Sequence, residues 1–208
     1  MRSTLRLHSA TDALDGRIVL GIDPGTRRTG FAVLRAWAGR LESLGLGVIE
    51  LPREWPLVRR LAQLGDAMGE LVQAHRPDEV SMEQAIYAQN PRTALVLGQA
   101  RGVLVYAAAR AGLAIHEYSP REVKRAVSGN GNASKEQVQG MVGRLLGLSR
   151  PPVSDAADAA AMALCHLLRP VGPRRDATNG GRPARAARRS SRWTEADVLR
   201  VLGGGGIR

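Results

Sequence analysis

Cysteine is almost absent: Cys165 is the only one in 208 residues. An intramolecular disulfide is therefore excluded, and a thiolate zinc site has no ligands to draw on. This fits a reducing, cytoplasmic setting. Aromatics are also scarce, at 3% against 44% hydrophobic overall, so a core must be built from Leu, Val, Ile and Ala. No run of about 18 apolar residues occurs, which leaves no candidate for a membrane-spanning helix. Met1 to Gly16 has no apolar stretch of the signal-peptide kind and reads as a flexible leader over residues 1–16. Lysine is the scarcest of the charged types. Against 28 arginines there are two lysines, Lys124 and Lys135, both inside one twelve-residue window. An ammonium acts as a compact point charge where a guanidinium acts as a planar fork, so the pair reads as two point contacts to a phosphate.

The chain carries a formal charge of +11, which points to a polyanionic partner, nucleic acid first. Residues 170–208 hold nine Arg and three acidic residues, a net of +6, and the other 169 residues carry the remaining +5. That C-terminal stretch, rich in Arg, Gly, Pro, Ala and Ser without periodicity, reads as a disordered, DNA-attracting tail. The body is only mildly basic, so its function has to rest on particular residues.

Residues 17–169 read as one α/β domain with a mixed sheet. Strands are expected at Arg17–Gly21, Thr29–Ala36 and Leu44–Leu51, with short links that imply an antiparallel meander. Leu57–His75 places Leu57, Leu61, Leu64, Met68, Leu71 and Val72 on one helical face. Glu79–Glu83 is a fourth strand. Thr93–Ala111 is a helix so apolar that it is expected to be buried or to form a subunit interface. Leu113–Tyr118 is a fifth strand, and Ser119-Pro120 opens a short helix. A Gly/Asn loop precedes a helix over Lys135–Gly147, and a last helix, with Ser154 as its N-cap, runs to Leu168.

Four acidic residues fall at element ends. Asp23 follows the first strand and Glu83 closes the fourth, while Asp155 and Asp158 share one face at the start of the last helix. Taken singly, Asp23 before Pro-Gly is a turn former and Asp155 suits a first helical turn. Gathered together they repel and raise one another's pKa, a conflict that hard divalent cations relieve. Two such ions would serve phosphodiester hydrolysis. Cys165 and His166 read as packing residues of the last helix, and His75 and His116 show no metal-ligand spacing. Rival readings are an actin-like ATPase or kinase, which shares an Asp-x-Gly-Thr turn, a non-catalytic junction- or RNA-binding module, and an RNase H acting on hybrids.

The blocks GIDPGTRRTGFAV, MEQAIYAQN, LGQARG, EYSPREVKRAVSGNGNASKEQVQGMV and SDAADAAAMALCH, in this order, resemble the RuvC family of Holliday-junction resolvases. The resemblance implies an RNase H-like fold with a five-stranded mixed sheet flanked by helices. It also implies a homodimer that nicks two symmetric strands of a four-way DNA junction, leaving 5′-phosphate and 3′-hydroxyl ends. Magnesium, two ions per site, is the implied cofactor and manganese the substitute. A branch-migration complex of RuvA and RuvB is the implied partner. Asp23, Glu83, Asp155 and Asp158 match the family's metal-holding acids, and Lys124 and Lys135 its basic residues near the cut phosphate. Where the family often has an aromatic that stacks on DNA, this chain has Ile86 followed by Tyr87. Stacking by Tyr87 or wedging by Ile86 would each serve.

Overall fold

The computed structural model describes residues 16–37, 39–84 and 90–169. The expected leader and Arg-rich tail lie outside these, apart from Gly16. Ten elements follow in order: β1 (Arg17–Asp23), β2 (Arg28–Trp37), β3 (Arg40–Glu50), α1 (Leu57–His75), β4 (Glu79–Glu83), α2 (Pro91–Arg110), β5 (Ala114–Tyr118), α3 (Pro120–Ser128), α4 (Lys135–Leu145) and α5 (Ser154–Leu168). One sheet has the order β3-β2-β1-β4-β5. The first three strands form the expected antiparallel meander, whereas β4 and β5 run parallel to β1. Such parallel neighbours need crossovers, and α1 and α2 supply them.

Alternation along the strands divides the core in two. Leu20 and Ile22 of β1, with Val80 and Met82 of β4, meet Leu64 and Met68 of α1 and Leu104 of α2. Val19 faces the other way, into a cluster built with Val123 of α3, Val142 of α4 and the alanines of α5. Each fully buried Leu, Ile or Met contributes roughly 1.5–3 kcal/mol. β1 is therefore apolar on both faces from Ile18 to Ile22.

α5 lies directly on the sheet. A Cβ on Gly21 would stand 2.1 Å from the Ala159 carbonyl oxygen, and one on Gly30 would stand 1.9 Å from that of Asp155. Only glycine at these strand positions lets the helix backbone come so near. The Ser81 hydroxyl of β4 donates to the Met162 carbonyl at 2.8 Å, which holds the middle of the helix. Asp155, Asp158, Met162 and His166 recur at helical spacing, so α5 lays one stripe along β1 and β4.

Two expectations change, and a third narrows to one of its two alternatives. Ser154 is the first residue of α5 rather than its cap; the extended Val153 occupies the cap position, with no side-chain cap bond. Pro151 and Pro152 precede that cap, and Ala157 N–H closes the first turn on the Val153 carbonyl at 2.8 Å. β3 begins at Arg40 rather than Leu44, because its pairing with β2 continues past a register shift at Val33/Leu34 as far as Trp37↔Arg40. α2 buries only the stripe Ala100, Leu104 and Ala108, while Leu95 and Tyr106 are each 65% exposed.

Candidate active site

The end of β1, the end of β4 and the first two turns of α5 converge on one edge of the sheet. β1 and β4 are neighbours in parallel register, with Ile22 opposite Met82, so the residues that follow, Asp23 and Glu83, sit side by side. Both point to the α5 face, as their alternation partners Gly21 and Ser81 do. Asp158 meets them from the helix. Asp23, Glu83, Asp158, Lys124 and Lys135 line one cleft of about 270 Å³, whose apolar walls include Val123, Val138 and Met162. An adjoining hollow of about 170 Å³ shares Asp23 and Glu83 and is closed by α2 through Ala94, Leu97 and Arg101.

The two lysines are delivered by capped helices. Ser119 caps α3 and Ser134 caps α4, each through a capping box with the residue three positions on. Lys135 is thereby placed at the first position of α4, and its Nζ donates to Asp158 Oδ2 at 2.7 Å. Asp155 stands at the same sheet edge but is drawn aside: Arg28 Nε donates to its Oδ2 at 2.7 Å, with Glu50 3.5 Å from the same guanidinium. Five of the six expected catalytic positions thus share the cleft, and Asp155 borders it. Ile86 and Tyr87 lie outside the described residues.

The carboxylates are in electrostatic conflict. Burial pushes the Asp23 carboxyl up to about 7, helped by the negative charges of Asp158, Glu83 and Asp155. Glu83 is raised as well, by burial first and then by Asp158, with Arg101 and Lys135 opposing. The hydrogen bond to Asp158 raises Lys135. The opposing charge of Lys135 does not offset the conflict at Asp23. A desolvated, oxygen-only donor group with excess negative charge fits hard divalent cations.

The sequence-family model for the crossover junction endodeoxyribonuclease RuvC matches residues 19–166. The chain belongs to the RuvC family. RuvC of Marinobacter nauticus is 48% identical over 165 residues, covering 79% of this chain and 94% of that protein. RuvC of Tolumonas auensis is 50% identical over 149 residues, 72% and 86% of the two chains. Among solved structures, Thermus thermophilus RuvC in complex with a Holliday junction substrate superposes with a TM-score of 0.70 at 33% identity, over 73% of this chain and 93% of that one. A yeast mitochondrial Holliday junction resolvase shares the fold at 20% identity, with a TM-score of 0.56 over 76% and 82%. The fold is RNase H-like, and the enzyme class is that of a divalent-metal-dependent endonuclease.

Two further residues at this RuvC site escape sequence reasoning. Arg28 holds Asp155, and Arg101 donates from Nη1 to the Glu83 carbonyl at 2.6 Å and from Nη2 to Glu117 at 2.5 Å. In a chain with 28 arginines neither stands out. LGQARG contains Arg101, but nothing in the block ties it to a strand end eighteen residues upstream.

Proposed function

We propose that this protein resolves four-way DNA junctions by paired, symmetric nicks, hydrolysing one phosphodiester in each of two strands in recombination and repair. The observation that carries this reading is the meeting of Asp23, Glu83 and Asp158 with Lys124 and Lys135 in one cleft. Asp23, Glu83, Asp158 and the bordering Asp155 would hold the metal, magnesium at two ions per site, with manganese as substitute. When bound, the ions supply positive charge and Lewis acidity at the scissile phosphate.

The chain's own groups do the rest. Lys124 and Lys135 neutralise the negative charge that grows on the phosphoryl oxygens as water attacks in line. Rupture of the P–O3′ bond leaves a 5′-phosphate and a 3′-hydroxyl. Arg28 and Arg101 keep Asp155 and the Glu83 strand end in place. Phosphate contacts fix position without reading sequence, so selectivity for a junction comes from shape and from two sites acting together. Stacking by Tyr87 or wedging by Ile86 would make the base contact.

A homodimer supplies the two sites. The exposed Leu95 and Tyr106 of α2, with Leu97 at 37% exposure, offer an apolar face for the second copy. Membership of the family extends the proposal to a branch-migration complex of RuvA and RuvB and to the cytoplasm. Among the described residues no helix is long and apolar enough to cross a membrane.

Cleavage of a synthetic mobile junction, with both strand pairs resolved, tests the reading. Paired nicks that require magnesium and disappear in Asp23→Asn are expected. Nicking that persists in the chelated enzyme, or ATP hydrolysis without nicking, would overturn it.

A further inference from the structure

The stripe that begins at the carboxylates ends in a second polar cluster. His166 lies two turns beyond Asp158 on α5, about 12 Å along the helix, and Glu79 opens the strand that Glu83 closes. His116 comes from β5, where it pairs with Ser81, and so shares their face. Glu79, His116 and His166 each offer one ligand atom, and these atoms lie within 4.8 Å of one another. No local pattern announces this cluster, because the three residues are separated by 37 and 50 positions. His166, expected to be a packing residue, is buried but held by polar contacts on both ring nitrogens.

The protons in this cluster do not balance. His166 Nε2 is 2.7 Å from Glu79 Oε2 and 2.5 Å from Arg17 Nη2, while Arg17 also bonds the same carboxylate. Arginine can only donate. With a proton on Nε2, the imidazole donates to Glu79 and confronts the guanidinium. With Nε2 bare, it accepts from Arg17 and faces a carboxylate oxygen with no proton between them. His116 Nε2 is buried without a hydrogen-bond partner and is 3.5 Å from Glu79 Oε1. Three acceptors thus converge on a place that only one cationic nitrogen, that of Arg17, now approaches. The Tyr118 hydroxyl bonds His166 Nδ1; with the proton on Nδ1, the Nε2 lone pair is turned inward, as in the outer shell of a metal-bound histidine.

We propose that Glu79, His116 and His166 form a second metal site, for a borderline transition-metal dication of the zinc class, distinct from the carboxylate site for hard cations. Two imidazoles and a carboxylate suit zinc, and magnesium prefers all-oxygen surroundings. Glu79 is drawn down to about 2 by its hydrogen bond to His166 and by Arg17, and burial lowers His116, so the Glu79 carboxylate and the neutral His116 imidazole prevail at neutral pH. Arg17, at the start of β1 and with 20% of its side chain exposed, is the group a metal displaces. A bound ion would tie β4, β5 and α5 together at the end remote from the DNA.

The test uses the full-length, untagged chain in excess magnesium, which occupies the carboxylates, with zinc titrated by calorimetry and cobalt followed by its visible absorption. One saturable zinc site with a nitrogen-ligated cobalt spectrum is expected. His116→Ala, confirmed folded by circular dichroism, should weaken zinc at least tenfold, and Arg17→Ala should tighten it. Three results would each overturn the proposal: no saturable zinc site in magnesium, equal zinc affinity in wild type and His116→Ala, or zinc binding lost in Asp23→Asn but kept in His116→Ala.

Discussion

Asp23 shows what one carboxyl costs when the fold places it for chemistry. In the unfolded chain it ionises near its ordinary 3.8, and in the metal-free fold near about 7. The proton is favoured in the fold, so this group makes the metal-free protein less stable as pH climbs from about 4 to about 7 and adds no further change above. Asp23→Asn removes the conflict. In chelator at pH 8 we expect its Tm to rise by a few degrees, about 1–2 kcal/mol, while cleavage is abolished. A lowered Tm would show that the carboxylate is satisfied without metal. Below pH 7 a cation must displace the Asp23 proton. Magnesium should therefore raise the Tm more at pH 8 than at pH 5.5; equal increments in thermal melts would count against Asp23 as a ligand.

At the scale of elements, α5 decides the site. It carries Asp155 and Asp158, and Gly21 and Gly30 allow it to sit against β1 and β2. Gly30→Ala sets a methyl against the Asp155 carbonyl, so the first turn must lift. A loss of roughly 1–3 kcal/mol is expected in denaturant unfolding, together with a drop in kcat larger than the change in junction affinity. A variant with wild-type kcat would mean that the placement of Asp155 does not matter. Much of this layer was legible beforehand. Apolar period gave α1 and the strands, and the four acids announced themselves by standing at element ends. The position of Asp155 beside Arg28 was hidden because charge pairing across 127 residues leaves no local pattern. The cluster around His166 was hidden likewise, since its partners Arg17 and Glu79 are 149 and 87 residues away. The cap of α5 departs from expectation because Ser154 satisfies the usual N-cap preference, whereas the extended Val153 carries the chain into the helix one residue sooner.

For the whole molecule, charge divides into a mildly basic domain and an Arg-rich stretch with over half the excess. Removing residues 171–208 should weaken general DNA affinity and flatten its dependence on salt, each lost phosphate contact lowering the slope by about one; an unchanged slope would assign the binding to the domain alone. The placing of the only two lysines gives the protein an unusual handle. Reagents that attack primary amines can modify just three groups in the entire chain: the α-amino terminus, Lys124 and Lys135. Both side chains open onto the cleft proposed to take the scissile phosphate, so acylation becomes a footprint of that cleft. Junction DNA should shield the pair from an N-hydroxysuccinimide ester while the terminus still reacts, and labelling that ignores DNA would place the phosphate elsewhere. A lysine-specific protease, likewise, has only two peptide bonds to choose from, one on either side of the loop that joins α3 to α4.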